Sequence, residues 1–146
     1  MKTLINLPPV LFLLFSGLLF VLPPIFKVQM PLILPFSLAV IAIFIGLLSF
    51  VQCRLAKVNI HPINLSQTST LLQTGIYRFS RNPMYLSLVL LLLAQALWRG
   101  GASGFPGVLL LAYWLQHGQI KREERYLSAK FGAQYQRYCQ RTRRWL

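Results

Sequence analysis

The sequence predicts an all-α integral membrane protein with about four transmembrane helices. The last two form a hairpin, and a basic helical tail follows on the cytoplasmic side. Three observations lead there. Of 146 residues, 55% are hydrophobic and only 12% are charged, about half the charged share of an ordinary soluble domain. The charges are missing from long unbroken runs, as lipid-dissolved segments require. Fifteen Lys and Arg residues stand against two acids, a formal net charge of +13, and they fall on alternate connections between the apolar runs.

The first apolar run covers residues 4–22 and the second residues 30–51, neither with a charged side chain. Each is close to the roughly 20 residues that cross ~30 Å of hydrocarbon at ~1.5 Å per residue. The start, Met1-Lys2 before an apolar run, has the outline of a signal peptide. No small-x-small cleavage site follows and the run ends in Pro23-Pro24, so a retained span is expected. Residues 1–53 are therefore taken as two amino-terminal spans of a single membrane domain.

Residues 54–82 are polar and rich in Ser, Thr and Pro, and are expected to form a structured cytoplasmic loop. Asn82-Pro83 then starts a helix, with Asn as the cap and Pro at the first helical position. The apolar runs 84–98 and 105–115 are short, and only residues 99–104, with three glycines, join them. So short a link makes the two helices antiparallel neighbours. A transmembrane hairpin extended at its cytoplasmic end and a shallow re-entrant hairpin both satisfy this pattern. The first is preferred, with Trp98 as an interfacial anchor, giving a hairpin over 83–118 and a tail over 119–146. The last helix is expected to continue to about Lys130.

Four spans place Lys2, the loop cations and the eight Lys and Arg from Lys121 onward on one side, thirteen in all. Lys27 and Arg99 are left on the other. The positive-inside rule makes the side of thirteen, with both termini, cytoplasmic. Cys53 and Cys139, far apart and without metal-ligand spacing, read as free thiols in a reducing compartment. No metal set, glycine-rich phosphate loop or Ser-His-Asp arrangement is present, and no catalytic residue is identified. His61 and His117 lack acidic or thiol companions at ligand spacing.

Two stretches carry chemistry. Glu123 and Glu124 are the only carboxylates and lie about 100° apart on one helix. Glu123 aligns with Gln119 and Gln116, and Glu124 with His117 and nearly with Tyr113. Polar groups thus run into the membrane edge on both faces, where they are costly without partners. Ordinary ion pairs with Lys121, Arg122 and Arg125 would account for the acids equally well. The second stretch, "LLQTGIYRFSRNPMY" at 71–85, joins a Gly, two Arg and three aromatic rings to a helix start. There, unpaired N–H groups and the positive dipole end favour an anion, and rings favour a cation. Interfacial anchoring explains the same residues.

Residues 71–86, "LLQTGIYRFSRNPMYL", then 123–138, "EERYLSAKFGAQYQRY", and the closing "RRWL" resemble the isoprenylcysteine carboxyl methyltransferase and phospholipid methyltransferase superfamily. Its hallmarks are G-x-Y-x-x-x-R-H-P-x-Y and, after a hydrophobic hairpin, E-E-x-x-L-x-x-x-F-G-x-x-Y-x-x-Y. The resemblance covers about the last half of the chain. It implies S-adenosylmethionine as methyl donor, bound at the cytoplasmic face, and a lipophilic or small acceptor arriving from the bilayer. Carried over by position, the donor would contact Thr70, Leu71, Leu72, Tyr77, Asn82, Pro83, Met84, Tyr85 and Glu123, and Arg81 or the helix N–H groups would suit its carboxylate. Gln119, His117 and Glu124 would lie on the acceptor side. Asn82 stands where the family has His, Ser87 where Gly is common, and Gln119 where some relatives have Arg. The last weighs against a carboxylate-bearing prenylcysteine acceptor. The alternative function is a non-catalytic membrane protein of the same fold, whose polybasic tail binds anionic lipid or a partner. Nucleic acid is not an expected partner, because topology accounts for the cations. The tail itself is expected to close over the cofactor.

Overall fold

The computed structural model describes residues 7–21, 23, 30–56, 70–100 and 102–146. These form α1 (Pro8–Val21), α2 (Ile33–Leu55), a 3₁₀ turn (Gly75–Arg78), α3 (Pro83–Trp98), α4 (Gly104–Trp114), a π-helical turn (Leu115–Ile120), α5 (Lys121–Phe131) and α6 (Ala133–Arg141). Among the described residues there is no strand, only an isolated bridge between Ser80 and Arg143. Residues 57–69 of the 54–82 loop, including His61, and residues 1–6 lie outside the described residues.

Length follows composition. α2 has 23 residues and is the one described helix long and apolar enough to cross a membrane; it extends ~35 Å at ~1.5 Å per residue. α1 and α3 are apolar but shorter, at 14 and 16 residues. The helix that begins at Gly104 continues without a break through the π turn to Phe131, close to the end expected at Lys130.

α3 is the centre of the bundle, packed most extensively on α2 and also on α1 and α4. Leu92 and Ala96 of α3 meet Leu11 and Leu19 of α1, Val108 and Leu111 of α4, and Leu115 and Ile120 of the π turn in one buried cluster. Small residues allow the close approaches. A Cβ on Gly104 would lie 2.7 Å from the Ala96 Cβ, and one on Gly46 would lie 3.0 Å from the Ser87 Oγ. Ser87 thus replaces the family's common glycine where the facing helix supplies a glycine of its own. The Ser87 hydroxyl is spent on the Met84 carbonyl, 2.8 Å away.

A polar clasp also ties α1 to α3: Ser16 Oγ donates to Gln95 Oε1 at 2.8 Å, and Gln95 Nε2 donates back to the Ser16 carbonyl at 3.0 Å. At the far end of α3, Trp98 is exposed and lies edge-on to Phe20, with Arg99 over the same ring. Leu13, Leu18, Phe36, Phe44, Phe50 and Leu109 point outward with about half or more of their surface uncovered. An apolar surface of that extent suits lipid and is rare on a soluble monomer.

Candidate functional site

The site gathers at the amino-terminal end of α3. Pro83 occupies the first turn of that helix, where its missing N–H costs nothing. Asn82 is the boundary residue, yet its side chain does not cap the helix as the sequence suggested. Its Nδ2 donates to the Arg144 carbonyl at 2.9 Å, while its backbone N–H is satisfied by Ser80 Oγ at 3.2 Å. The tail has outbid the cap for the Asn82 amide.

The two acids divide their work. Tyr85, 8% exposed at the start of α3, donates its phenolic hydrogen to Glu123 Oε1 on α5. This bond joins the two sequence motifs directly. Burial raises the Glu123 carboxyl from 4.5 to about 7, against the opposing pulls of the Tyr85 hydrogen bond and the Arg122 charge. Glu124 faces elsewhere. Arg144 grips it with a two-pronged contact, Nε to Oε1 at 2.9 Å and Nη2 to Oε2 at 2.7 Å, and Arg81 Nη2 lies 3.2 Å from Oε1. Its partners are therefore distant in sequence, not the neighbouring Lys121, Arg122 and Arg125.

The tail follows the 75–82 segment closely. Arg81 N–H donates to the Arg143 carbonyl at 3.0 Å, Thr142 Oγ1 to the Arg78 carbonyl at 3.3 Å, and Tyr138 Oη to the Tyr77 carbonyl at 2.6 Å. Trp145 Nε1 reaches Gln116 Oε1 at 3.0 Å. On the other side, the Tyr77 hydroxyl shares hydrogen bonds with Ser49 (2.8 Å) and Cys53 (3.0 Å) of α2, and Gln52 Oε1 accepts the Ile76 N–H at 3.2 Å. Burial holds the Tyr77 phenol far above its ordinary value, so it remains neutral. Gly75 sits at φ +58 against the Gln52 amide, and a Cβ would overlap it, so glycine is required on both conformational and steric grounds.

The structure thus brings Tyr77, Arg81, Asn82, Pro83, Tyr85, Glu123 and Glu124 to one end of the bundle. Met84 is partly buried between them in sequence. Thr70 is exposed and Leu71 and Leu72 are partly buried; among the described residues, no hydrogen bond joins them to Tyr85 or Glu123. Gln119 is buried in the π turn. His117 is exposed, donating from Nδ1 to the Tyr113 carbonyl at 2.9 Å and stacking on the Tyr113 ring at 4.1 Å.

Sequence reasoning missed Ser80, Ser49, Gln52 and Cys53, which support the site from behind, and Arg144 as the partner of Glu124. The closing "RRWL" was the signal for the last. Two buried donors, Gln73 Nε2 and Arg81 Nε, have no hydrogen-bond partner among the described residues. Buried donors are seldom left unpaired unless a ligand or water completes them.

One cavity adjoins this arrangement and a second lies further along α3. One, of about 620 Å³, is lined by Arg81, His117, Lys121, Glu124, Arg125 and Arg144 among others. The other, of about 670 Å³, is apolar, between Phe20, Ile33, Phe36, Leu91 and Trp98. It lies along the carboxy-terminal half of α3, from Leu91 to Trp98, ~9–20 Å from Tyr85 by helix rise, and has no titratable lining.

Comparison with known proteins bears on these motifs. The sequence profile described as phospholipid methyltransferase matches residues 30–134. An uncharacterised protein of Haemophilus influenzae is 51% identical over 63 residues, which are 43% of this chain and 100% of that protein. No solved structure matches the chain.

Proposed function

Because this chain belongs to the phospholipid methyltransferase family, a membrane-associated family of methyltransferases, we propose that it transfers the methyl group of S-adenosylmethionine to a lipophilic or small acceptor at the cytoplasmic face of the membrane. The observation that supports this most is the hydrogen bond from Tyr85 to Glu123, which joins the two motifs at one end of the bundle.

The residues fit such a donor. It is a sulfonium carrying an ammonium, a carboxylate and an adenine, and it supplies an electrophilic methyl carbon. Glu123 offers the one carboxylate at this end that is not committed to arginine, and so suits the ammonium. With Arg81 held by Glu124, the first-turn amides of α3 at Met84 and Tyr85 suit the donor carboxylate. Tyr85 and Tyr77 offer ring faces to a positively charged sulfur.

Methyl transfer in line from sulfur to an acceptor lone pair breaks one C–S bond and forms one bond to the acceptor. No covalent enzyme intermediate is needed. The protein's task is to hold both partners in line and exclude water. The tail, laced to the 75–82 segment, closes the niche.

The topology proposed with this function has four crossings, α4 and the π turn forming the last, and cytoplasmic termini. It rests on the thirteen-to-two division of cations. Equilibrium binding of S-adenosylmethionine to the detergent-solubilised protein tests the function. Binding that is lost in Glu123→Ala supports it. No binding to the wild type, with Glu123→Ala indistinguishable in cells, leaves a non-catalytic membrane protein and removes the enzyme.

A further inference from the structure

We infer that a polar stripe at the carboxy-terminal end of α2, made of Ser49, Gln52 and Cys53, positions the Tyr77 ring so that it presents a face to the sulfonium of the methyl donor. The role rests on the proposed function, and it falls to residues outside both sequence motifs. None of the three touches the donor; they act through Tyr77.

Helical spacing puts the three on one side of α2, at i, i+3 and i+4. Ser49 is fully buried and Cys53 is 6% exposed, while Leu47, Leu48, Phe50 and Val51 around them are apolar and exposed. Crossing a bilayer calls for no polar groups at these positions, and near the hydrocarbon they are costly without partners. All three find their partners in the 3₁₀ turn. Ser49 Oγ lies 2.8 Å and Cys53 Sγ 3.0 Å from the Tyr77 hydroxyl, and Gln52 Oε1 accepts the Ile76 N–H at 3.2 Å. One turn earlier, Gly46 meets Ser87 of α3. The stripe is therefore held in register with the helix that carries Tyr85.

Tyr77 is fixed at both ends. Its hydroxyl is tied to α2, its carbonyl accepts the Tyr138 hydroxyl at 2.6 Å, and its N–H donates to the Thr74 carbonyl at 3.2 Å. Such a ring is held against rotation about χ1. The phenolic O–H lies in the ring plane, so two partners at the oxygen restrain that plane as well. A cation is attracted to the face of a tyrosine and not to its edge. Setting the plane of the ring thus sets how strongly it favours a charged sulfur. Phenylalanine would fill the same space; the hydroxyl and the two groups it meets supply orientation.

The test measures equilibrium binding of S-adenosylmethionine, and of its neutral thioether product S-adenosylhomocysteine, to the full chain in detergent. Thermal unfolding is followed alongside. Ser49→Ala and Cys53→Ala are each expected to weaken S-adenosylmethionine binding about three- to tenfold, the worth of one hydrogen bond. Binding of S-adenosylhomocysteine, which has no charge for the ring to attract, should stay within about twofold. Cys53→Ser keeps a hydrogen-bonding group and should restore most of the loss. In a Tyr77→Phe background the α2 substitutions should add nothing, since the hydroxyl through which they act is gone. A lower melting temperature with both affinities unchanged, equal losses for the two ligands, or effects that add to that of Tyr77→Phe would make the stripe a mere anchor and overturn the inference. Absence of S-adenosylmethionine binding in the wild type removes the proposed function and this role with it. Wild-type binding that the α2 substitutions leave unaltered removes this role alone.

Discussion

Glu124 and Arg144, twenty residues apart in sequence, meet in a two-pronged ion pair with contacts of 2.9 and 2.7 Å. The pair fixes the end of the chain against the start of α3, because the Arg144 carbonyl in turn receives the Asn82 amide. One acid therefore builds the tail into the site while its neighbour, Glu123, is left for Tyr85. That division explains why two adjacent carboxylates on one helix are not redundant.

Arg144→Ala is expected to lower stability by about 1–2 kcal/mol. Glu124 is mostly buried, but the Arg144 side chain is about one-third exposed, which places the pair between the surface and buried limits. Arg144→Lys keeps the charge but not the planar fork, and should recover less than half of the loss. Thermal unfolding in detergent measures both. If the tail completes the niche, donor affinity falls in Arg144→Ala even at temperatures where the protein is fully folded.

The Glu123 carboxyl, raised by burial to about 7 from 4.5, gives donor binding a defined pH dependence. A cationic ligand needs the ionised form, so affinity should rise about tenfold per pH unit below 7 and level off above it. Binding near pH 6.5 should release a proton, seen as a calorimetric heat that varies with buffer ionisation enthalpy. The unliganded protein shows the opposite trend. The folded state holds a proton that the unfolded chain has lost, so this group's contribution to stability is complete below 4.5 and fades as pH rises through 7. Glu123→Gln should abolish both dependences, leaving weak binding that is flat across this range.

Much of this arrangement was legible in the sequence. The run 30–51 became α2, Pro83 the first turn of α3, and Glu123 and Tyr85 met as the paired motifs required. Glu124 and His117 line one cavity, although the π turn between them departs from the regular stepping that paired them. Helix length was less legible, because apolar runs do not show where ends are capped: α1 and α3 stop at 14 and 16 residues. The Asn82 side chain was misread because a cap is a local rule, and a carbonyl 62 residues away competed for the same amide. The π turn at Leu115–Ile120 leaves no mark in hydropathy. It shifts the helical register between the apolar run and the acids, where stepping by four and seven assumes none. The partners of Glu124 were hidden for the same reason as the Asn82 contact, since no pattern reports which distant arginine arrives.

Gly104 makes the α3–α4 approach testable. Alanine ordinarily favours a helix over glycine by up to ~1 kcal/mol, but here its Cβ would sit 2.7 Å from the Ala96 Cβ and 3.2 Å from the Ala96 Cα. The clash with a helix backbone should win, and Gly104→Ala should destabilise by about 1–3 kcal/mol. Removing the opposing methyl, in Gly104→Ala/Ala96→Gly, should recover most of it, a coupling that two independent helix-propensity effects would not produce. Melting temperatures of the four proteins of this cycle decide it.

The proposed topology can be read from the two cysteines, which differ in exposure: Cys53 is buried in α2 and Cys139 is partly exposed in α6. With cytoplasmic termini, a membrane-impermeant maleimide should leave intact cells unlabelled and should label inverted vesicles at Cys139 alone. Cys139→Ser should then remove the signal, and denaturation in detergent should restore one site, Cys53. Labelling of Cys139 in intact cells would place the basic tail outside, against the direction in which thirteen cations hold it, and would separate the niche from any cytoplasmic supply of methyl donor.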